Sequence, residues 1–358
     1  MKTLAIDCRM ARMSGIGVYL RHLAPLCMQM LAGSVRFALL GHDGAFDIPE
    51  GVAFRNVPLD APIYNIREQY RILPLLRGCD ALWLPHYPIP VLSRLPLVVT
   101  VHDVAHLALP DIFTLPQKAY ARLMFQAVRR KAAELLFVSR FSQREFLRLV
   151  GTPSGRMTVA PNGVDPQWFE PLPSEAPLAG PYFLAIGNIK PHKNIRLLCQ
   201  AFSRIATSCN ATLILAGEYS GFRSRESPVE SLAAICPGGI RFAGPVGQDE
   251  LRRLMHGATA LVFPSRYEGF GLPPLEALAA GIPVIASDIP PVREVCGEFA
   301  FYVSPGSVEQ LAQRMLEVLG LSGDARYRLG MAGQAHARQF RWEKSAEITA
   351  QVLARALS

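Results

Sequence analysis

No stretch of this chain of 358 residues is apolar for long enough to cross a bilayer: charges or prolines interrupt every hydrophobic run before the ~18 to 20 residues that a spanning helix needs. The start, Met1-Lys-Thr-Leu-Ala-Ile-Asp7, meets an acid too early for a secretory leader, so a cytoplasmic protein is expected. The seven cysteines are odd in number and form no Cys-x-x-Cys pair. That argues against a disulfide framework and against a zinc site, and leaves reduced core thiols. There is no Asp-x-Asp and no His/Cys/Asp cluster at ligand spacing, so no metal site is expected. Net charge is +8, yet no interleaving of aromatic and basic residues accompanies it, which excludes nucleic acid as the expected partner. No repeat of 20 to 50 residues and no low-complexity segment is visible.

Half of the residues are hydrophobic, enough to build two domains of ordinary size. Short apolar runs alternate with amphipathic stretches, the pattern of an α/β sheet protein. Strands are predicted at 3–6, 35–40, 81–84, 97–101, 134–138 and 157–159, with helices at 17–30, 64–76, 117–133 and 142–150. A proline-laden stretch from Pro166 to Pro181 reads as a linker. A second series follows, with strands at 182–186, 211–215, 240–243, 259–263, 284–286 and 300–303, a helix at 307–319, a charged stretch to Arg341 and a closing helix from Trp342.

The densest chemical signal is Phe263-Pro-Ser-Arg-Tyr-Glu-Gly-Phe-Gly-Leu-Pro-Pro-Leu-Glu276. Glu268 falls on a strand-to-helix loop and Glu276 near the first turn of the helix. Gly269 and Gly271 let the backbone adopt positive φ or approach a ligand closely, so that amides around Phe270 and Leu272 can face an anion such as a diphosphate. A carboxylate there can accept the paired hydroxyls of a ribose. Gly15-Ile-Gly17 opens the first helix after the first strand, and lacks the third glycine and the downstream acid of a dinucleotide fingerprint. His102 and Asp103 end the strand 97–101, on the side where open α/β sheets bind ligands; His86 is a weaker candidate at another strand end. Lys193 follows Gly187 near the start of a helix, where a cation would offset a diphosphate.

These motifs, with Pro161-Asn-Gly-Val-Asp165, Lys193-Asn194 and Pro283-Val-Ile-Ala-Ser-Asp288, resemble in order those of the retaining glycosyltransferases of family 4, whose mark is a Glu, seven residues, Glu pattern. The resemblance spans nearly the whole chain and implies the GT-B fold: two doubly wound Rossmann-like domains facing across a cleft, with the last helix crossing back. The expected division is a first, acceptor-side Rossmann-like domain at 1–170, a linker at 171–181, a second, nucleotide-sugar-binding Rossmann-like domain at 182–340 and a terminal helix at 341–358 that crosses back to the first domain. It implies that the Gly15–Gly17 loop closes on the donor phosphates and that His102 sits against the transferred sugar. Asp103 and Glu268 join His102 as catalytic candidates. Gly15, Gly17, Gly187, Lys193, Gly269, Phe270, Gly271, Leu272 and Glu276 are the donor-binding candidates. Many relatives carry an arginine where this chain has Asn188, so Lys190 or Arg266 is expected to replace it. The motif set is nearest the mannosyltransferase branch. The expected reaction is therefore metal-independent, cofactor-free transfer of a hexose, with GDP-mannose as donor and a lipid-linked oligosaccharide or polysaccharide as acceptor. GDP-rhamnose or a UDP-sugar as donor is an alternative, as is a non-catalytic partner that binds sugar nucleotide or glycan.

Most of the excess positive charge lies in the first half, and the segments 64–77 and 117–131 mix basic with apolar residues at helical spacing. Reversible contact with an anionic membrane, on its inner face, is the corresponding expectation.

Overall fold

A computed structural model describes residues 1–13, 15–172, 180–188, 190–218 and 228–358. The chain divides into two compact units, Met1–Gly163 with Phe340–Ser358, and Val164–Gln339.

Among the described residues the first unit holds β1 (Lys2–Asp7), β2 (Val35–Leu40), β3 (Phe54–Val57), β4 (Ala81–Leu84), β5 (Leu97–Val101), β6 (Ala132–Phe137) and β7 (Arg156–Val159). They form one sheet in the order β3-β2-β1-β4-β5-β6-β7, with every pairing parallel. Helices cover the sheet, so its inner strands are mostly apolar: β4 and β5 are buried at every position, with Thr100 their one polar residue. Strand β3 escapes the sequence pattern because it is an edge strand with one buried residue, Val57.

The helix expected over 64–76 is broken. Its regular part runs Ile66–Arg71, started by Asn65, whose side chain accepts from the Arg67 amide at 2.9 Å. A 3-10 turn, Leu73–Leu76, follows, because Pro74 lacks an N–H to continue the ladder. The closing helix, Trp342–Leu357, packs along the helix Ile16–Met30. Trp342 is 3% exposed and stacks on His22 at 5.1 Å, and Arg355 forks onto Glu134 at 3.0 and 3.2 Å. A Cβ on Gly163 would lie 2.2 Å from the Trp342 backbone nitrogen, which reserves that position for glycine.

In the second unit the described strands are β8 (Tyr182–Ile186), β9 (Thr212–Ala216), β10 (Ile240–Gly244), β11 (Ala260–Phe263), β12 (Val284–Ser287) and β13 (Ala300–Val303). Their order is β10-β9-β8-β11-β12-β13, again all parallel. Residues 173–179 of the expected linker lie outside the described residues. The segment before them belongs to the second unit rather than to the first: Trp168 is buried there, Arg252 donates to the Gln167 carbonyl at 2.7 Å, and the Arg338 guanidinium lies 4.9 Å over the Phe169 ring.

The charged stretch before Arg341 contains a helix, Gly323–Ala337, capped by Ser322. Its inner face is Gly330, Gly333 and Ala337, so no apolar periodicity announces it. The glycines are there for closeness. A Cβ at 330 would stand 2.5 Å from the Gly281 carbonyl, and one at 333 would stand 3.0 Å from Leu278.

Truncating Trp342 removes the ring that joins the closing helix to its neighbour. Trp342→Ala is expected to destabilise the first unit by about 3 to 5 kcal/mol. Denaturant unfolding of the whole chain checks this: the transition assigned to the first unit moves and that of the second stays.

Candidate functional site

In both sheets the strand order reverses direction once, between β1 and β4 and between β8 and β11. At such a reversal the neighbouring loops diverge and leave a crevice at the carboxyl ends of the strands.

In the second unit the loops after β8 and β11 meet at this point. The Arg266 amide donates to the His192 carbonyl at 2.7 Å. Lys193 closes a 3-10 turn, Pro191–Lys193, and Asn194 takes a left-handed conformation (φ 56°) that leads into the helix Ile195–Ile205; asparagine tolerates that region better than most residues. Lys193 Nζ donates to Glu268 Oε1 at 2.7 Å and stands 5.0 Å from the Phe263 ring centre. Both partners are mostly covered, with 18% and 14% of their side chains exposed. Two glutamates were legible in sequence; that one of them holds the lysine was not, because 75 residues separate the pair.

Gly187 has φ 126°, and a Cβ on Gly217 would collide with its carbonyl at 2.3 Å, so the loop after β8 is pressed against the end of β9. Ile189 lies outside the described residues. The Asn188 side chain accepts from the Glu218 amide at 3.4 Å. Lys190 and Arg266 are exposed. Gly271, at φ 121°, turns the chain into the helix Leu272–Ala279, which carries Leu272 at its first position, while Phe270 is buried behind it. Glu276 is only partly covered, yet its carboxyl lies deep: burial first, and then the negative charge of Asp165, push it up to about 7. Asp165 belongs to a motif visible in the sequence, but its approach to Glu276 was not predicted.

In the first unit, Gly15 (φ 69°) precedes the helix Ile16–Met30, and Ser14 lies outside the described residues. A Cβ on Gly17 would lie 2.7 Å from the Ala11 carbonyl. His102 ends β5. Its Nε2 lies 3.0 Å from the Pro85 carbonyl, which can only accept, so Nε2 carries the proton and Nδ1 is left as an acceptor. Burial lowers the ring to about 4, against the opposing pull of Asp103, and His102 is neutral near pH 7. Asp103 Oδ1 accepts from the Ala105 amide at 2.8 Å.

His86 is taken up by a buried charge network that sequence reasoning missed. Its Nε2 donates to Asp7 Oδ2 at 3.0 Å, and Arg9 forks onto the same carboxylate at 2.5 and 2.9 Å. Arg9 reaches on to Glu68 at 3.3 Å, which also accepts from the Tyr120 hydroxyl at 3.0 Å. Burial alone would raise the Asp7 carboxyl, but the bonds from Arg9 and His86 outweigh it and hold the group well below the usual range. The legible hint was Asp7 and Arg9 directly after a strand. Among the described residues no group of three or more His, Cys, Asp or Glu is placed to hold a metal ion, and no helix is long and apolar enough to cross a membrane.

Residues 13–168 match the family model Glycosyltransferase Family 4, and residues 180–320 match Glycosyl transferases group 1. The O-antigen chain mannosyltransferase B of Escherichia coli is 32% identical over 257 residues, 69% of this chain and 67% of the relative. The chain belongs to glycosyltransferase family 4. The O-antigen chain mannosyltransferase RfbU of Salmonella typhimurium is also 32% identical, over 69% of this chain and 67% of its own. A glycogen synthase of Mycobacterium tuberculosis is 32% identical over 62% of this chain and 54% of its own. Among solved structures, the sucrose-phosphate synthase of Thermosynechococcus elongatus superposes with a TM-score of 0.78 at 19% identity, covering 99% of both chains. HepE of Anabaena, in complex with UDP-glucose, superposes at 0.77 and 18% identity, over 99% of this chain and 100% of its own. The architecture of this glycosyltransferase is accordingly GT-B, built from two doubly wound parallel sheets.

The desolvated Glu276 makes stability depend on pH. Its carboxyl titrates near the ordinary 4.5 when unfolded and near about 7 when folded. Between those values the folded protein holds the extra proton, so stability falls as pH rises through the window. Glu276→Gln removes that slope. Thermal melts of both proteins at pH 5 and pH 8 are expected to show the variant gaining on the wild type at pH 8, and an equal pH dependence would contradict the burial of this group.

Proposed function

We propose that the protein is a retaining, metal-independent hexosyltransferase that moves mannose from GDP-mannose onto a lipid-linked oligosaccharide or polysaccharide at the cytoplasmic face of a membrane. The observation that carries the reading is the Lys193–Glu268 pair at the β8/β11 reversal, followed by the helix bearing Glu276, in a chain whose relatives include two O-antigen chain mannosyltransferases.

The nucleotide ribose would donate its hydroxyls to Glu276, and the diphosphate would lie against the amides of the 269–271 turn and Lys193. That ammonium has three N–H groups, of which Glu268 takes one. Positive charge at the diphosphate stabilises it as a leaving group, the service a metal ion gives elsewhere. Arg266 supports this role better than Lys190, because its amide ties it to the turn that presents Lys193. Neutral His102, with Nδ1 as acceptor, would take a hydroxyl of the transferred sugar and orient it. If the departing phosphate takes the acceptor's proton on the face it leaves, configuration is retained without a protein nucleophile.

A UDP-sugar donor is the second reading, favoured by the HepE complex with UDP-glucose. Incubation with radiolabelled GDP-mannose, GDP-rhamnose, UDP-glucose and UDP-galactose, with and without EDTA, separates the two. Release or transfer of label from GDP-mannose, undiminished by EDTA, is expected. Turnover of UDP-sugars alone would replace the donor, and loss on chelation restored by Mg²⁺ would remove the metal-independent scheme.

The membrane contact rests on the helix Leu115–Lys131. Leu115 and Leu123 are 76% and 63% exposed, and with exposed Arg122 and Arg130 they fall on one face at helical spacing. The neighbouring cations are occupied: Arg129 Nε donates to Gln126 at 3.0 Å, and Lys131 Nζ reaches the Val91 and Ser93 carbonyls. Each free arginine near an anionic surface contributes about 1 kcal/mol. Co-sedimentation with vesicles of graded phosphatidylglycerol content should therefore weaken by roughly ten- to thirty-fold in Arg122→Gln/Arg130→Gln, and binding indifferent to lipid charge would exclude the contact.

A further inference from the structure

The segments after β3, β4 and β5 bring together a set of rings and an open carboxylate oxygen that none of the donor-side roles requires. Tyr87 is buried and stacks on the core ring Phe125 at 4.2 Å, which makes it a fixed floor. Tyr64 lies 5.6 Å from Tyr87 and 6.3 Å from His106, and His106 stacks on Phe113 at 4.2 Å. His106 and Phe113 are half-buried, and Tyr64 is 43% exposed.

Tyr64 adopts φ 63°, a left-handed conformation disfavoured for a bulky aromatic residue. Glycine or asparagine would occupy that position without strain. Its hydroxyl end is desolvated, since burial, and then the charges of Asp103 and Glu68, raise the phenol well above its ordinary range. Asp103 Oδ1 is engaged by the Ala105 amide, whereas Oδ2 has no hydrogen-bond partner among the described residues.

We infer that Tyr64, His106 and Phe113 form a platform for one neutral pyranose unit of the acceptor glycan, with Asp103 Oδ2 accepting one of its hydroxyls. A pyranose offers an apolar face of C–H groups and a rim of hydroxyls. Aromatic rings meet the first and a carboxylate the second, and the combination is that of a small-molecule site with few polar anchors. The charge of Asp103 selects against acidic sugars. The inference rests on the reading of the protein as a transferase onto glycans, and names residues for the acceptor side already expected of the first domain.

The test is saturation-transfer NMR on the whole protein with methyl α-D-mannopyranoside, and with methyl α-D-glucuronopyranoside as the acidic control, alongside GDP titration and thermal melts. Transfer to the mannoside ring protons is expected, with at least a five-fold weaker signal from the glucuronide. Tyr64→Gly should reduce the mannoside signal at least five-fold without lowering the melting temperature, because glycine takes this φ freely, and should leave GDP affinity unchanged. Tyr64→Phe should keep the signal. An unchanged signal in Tyr64→Gly, equal saturation of the glucuronide, or a signal lost together with the melting temperature would each overturn the platform. A Tyr64-dependent mannoside signal in a protein that turns over none of the nucleotide sugars would keep the platform and remove the proposed transfer.

Discussion

When all the strands of a sheet run the same way, every strand must release the chain at the same edge, and whatever follows each strand collects there. Both units obey this constraint, and their chemistry follows from it. In the first, Asp7 at the end of β1, His86 after β4 and His102 after β5 come to one edge from positions far apart in the chain. In the second, the turn that ends in Lys193 follows β8, and Glu268 follows β11, its neighbour across the reversal. The two edges are filled differently. The first is dominated by carboxylates neutralised internally by Arg9, and the second offers a lysine paired with one glutamate and a second glutamate left with a desolvated carboxyl.

Desolvation gives the two edges a shared property. His102 and Glu276 are both pushed toward their neutral forms by burial. A neutral imidazole with a fixed proton is a one-directional hydrogen-bond acceptor, and a carboxyl near its midpoint answers to whatever donor arrives. Neither has to shed a tight shell of water before meeting a ligand, which is the electrostatic form of preorganisation.

The sequence was most transparent where strands are short runs of large, mostly apolar side chains. Val35–Leu40, Ala81–Leu84, Leu97–Val101, Tyr182–Ile186 and Ala300–Val303 match their predicted bounds residue for residue, three of them as unbroken apolar runs, Val35–Leu40 with a single arginine and Leu97–Val101 with a single threonine. Legibility failed where packing does not use large apolar side chains: at the exposed edge strand Phe54–Val57, and in Gly323–Ala337, which packs through glycines. For the site, residue types and loops were legible, but partnerships were not. Lys193 finds Glu268, and Arg9 bridges Asp7 and Glu68, only because strand order makes neighbours of distant loops. The proton on His102 is assigned by the Pro85 carbonyl, from the loop after the adjacent strand.

The glycine contact of the helix Gly323–Ala337 has a mechanical consequence for Glu276. The helix bearing that glutamate runs directly into Gly281, and the opposing backbone comes so near at Gly330 that no side chain can lie between them. Gln334 adds a bond to the Ala279 carbonyl at 3.1 Å. Side chains can change rotamer; two main chains in contact cannot. The depth of the carboxylate is therefore gauged by a hard stop rather than by a cushion of side chains, and a single methyl group at position 330, far from any ligand, would shift the acid by moving the whole helix that carries it.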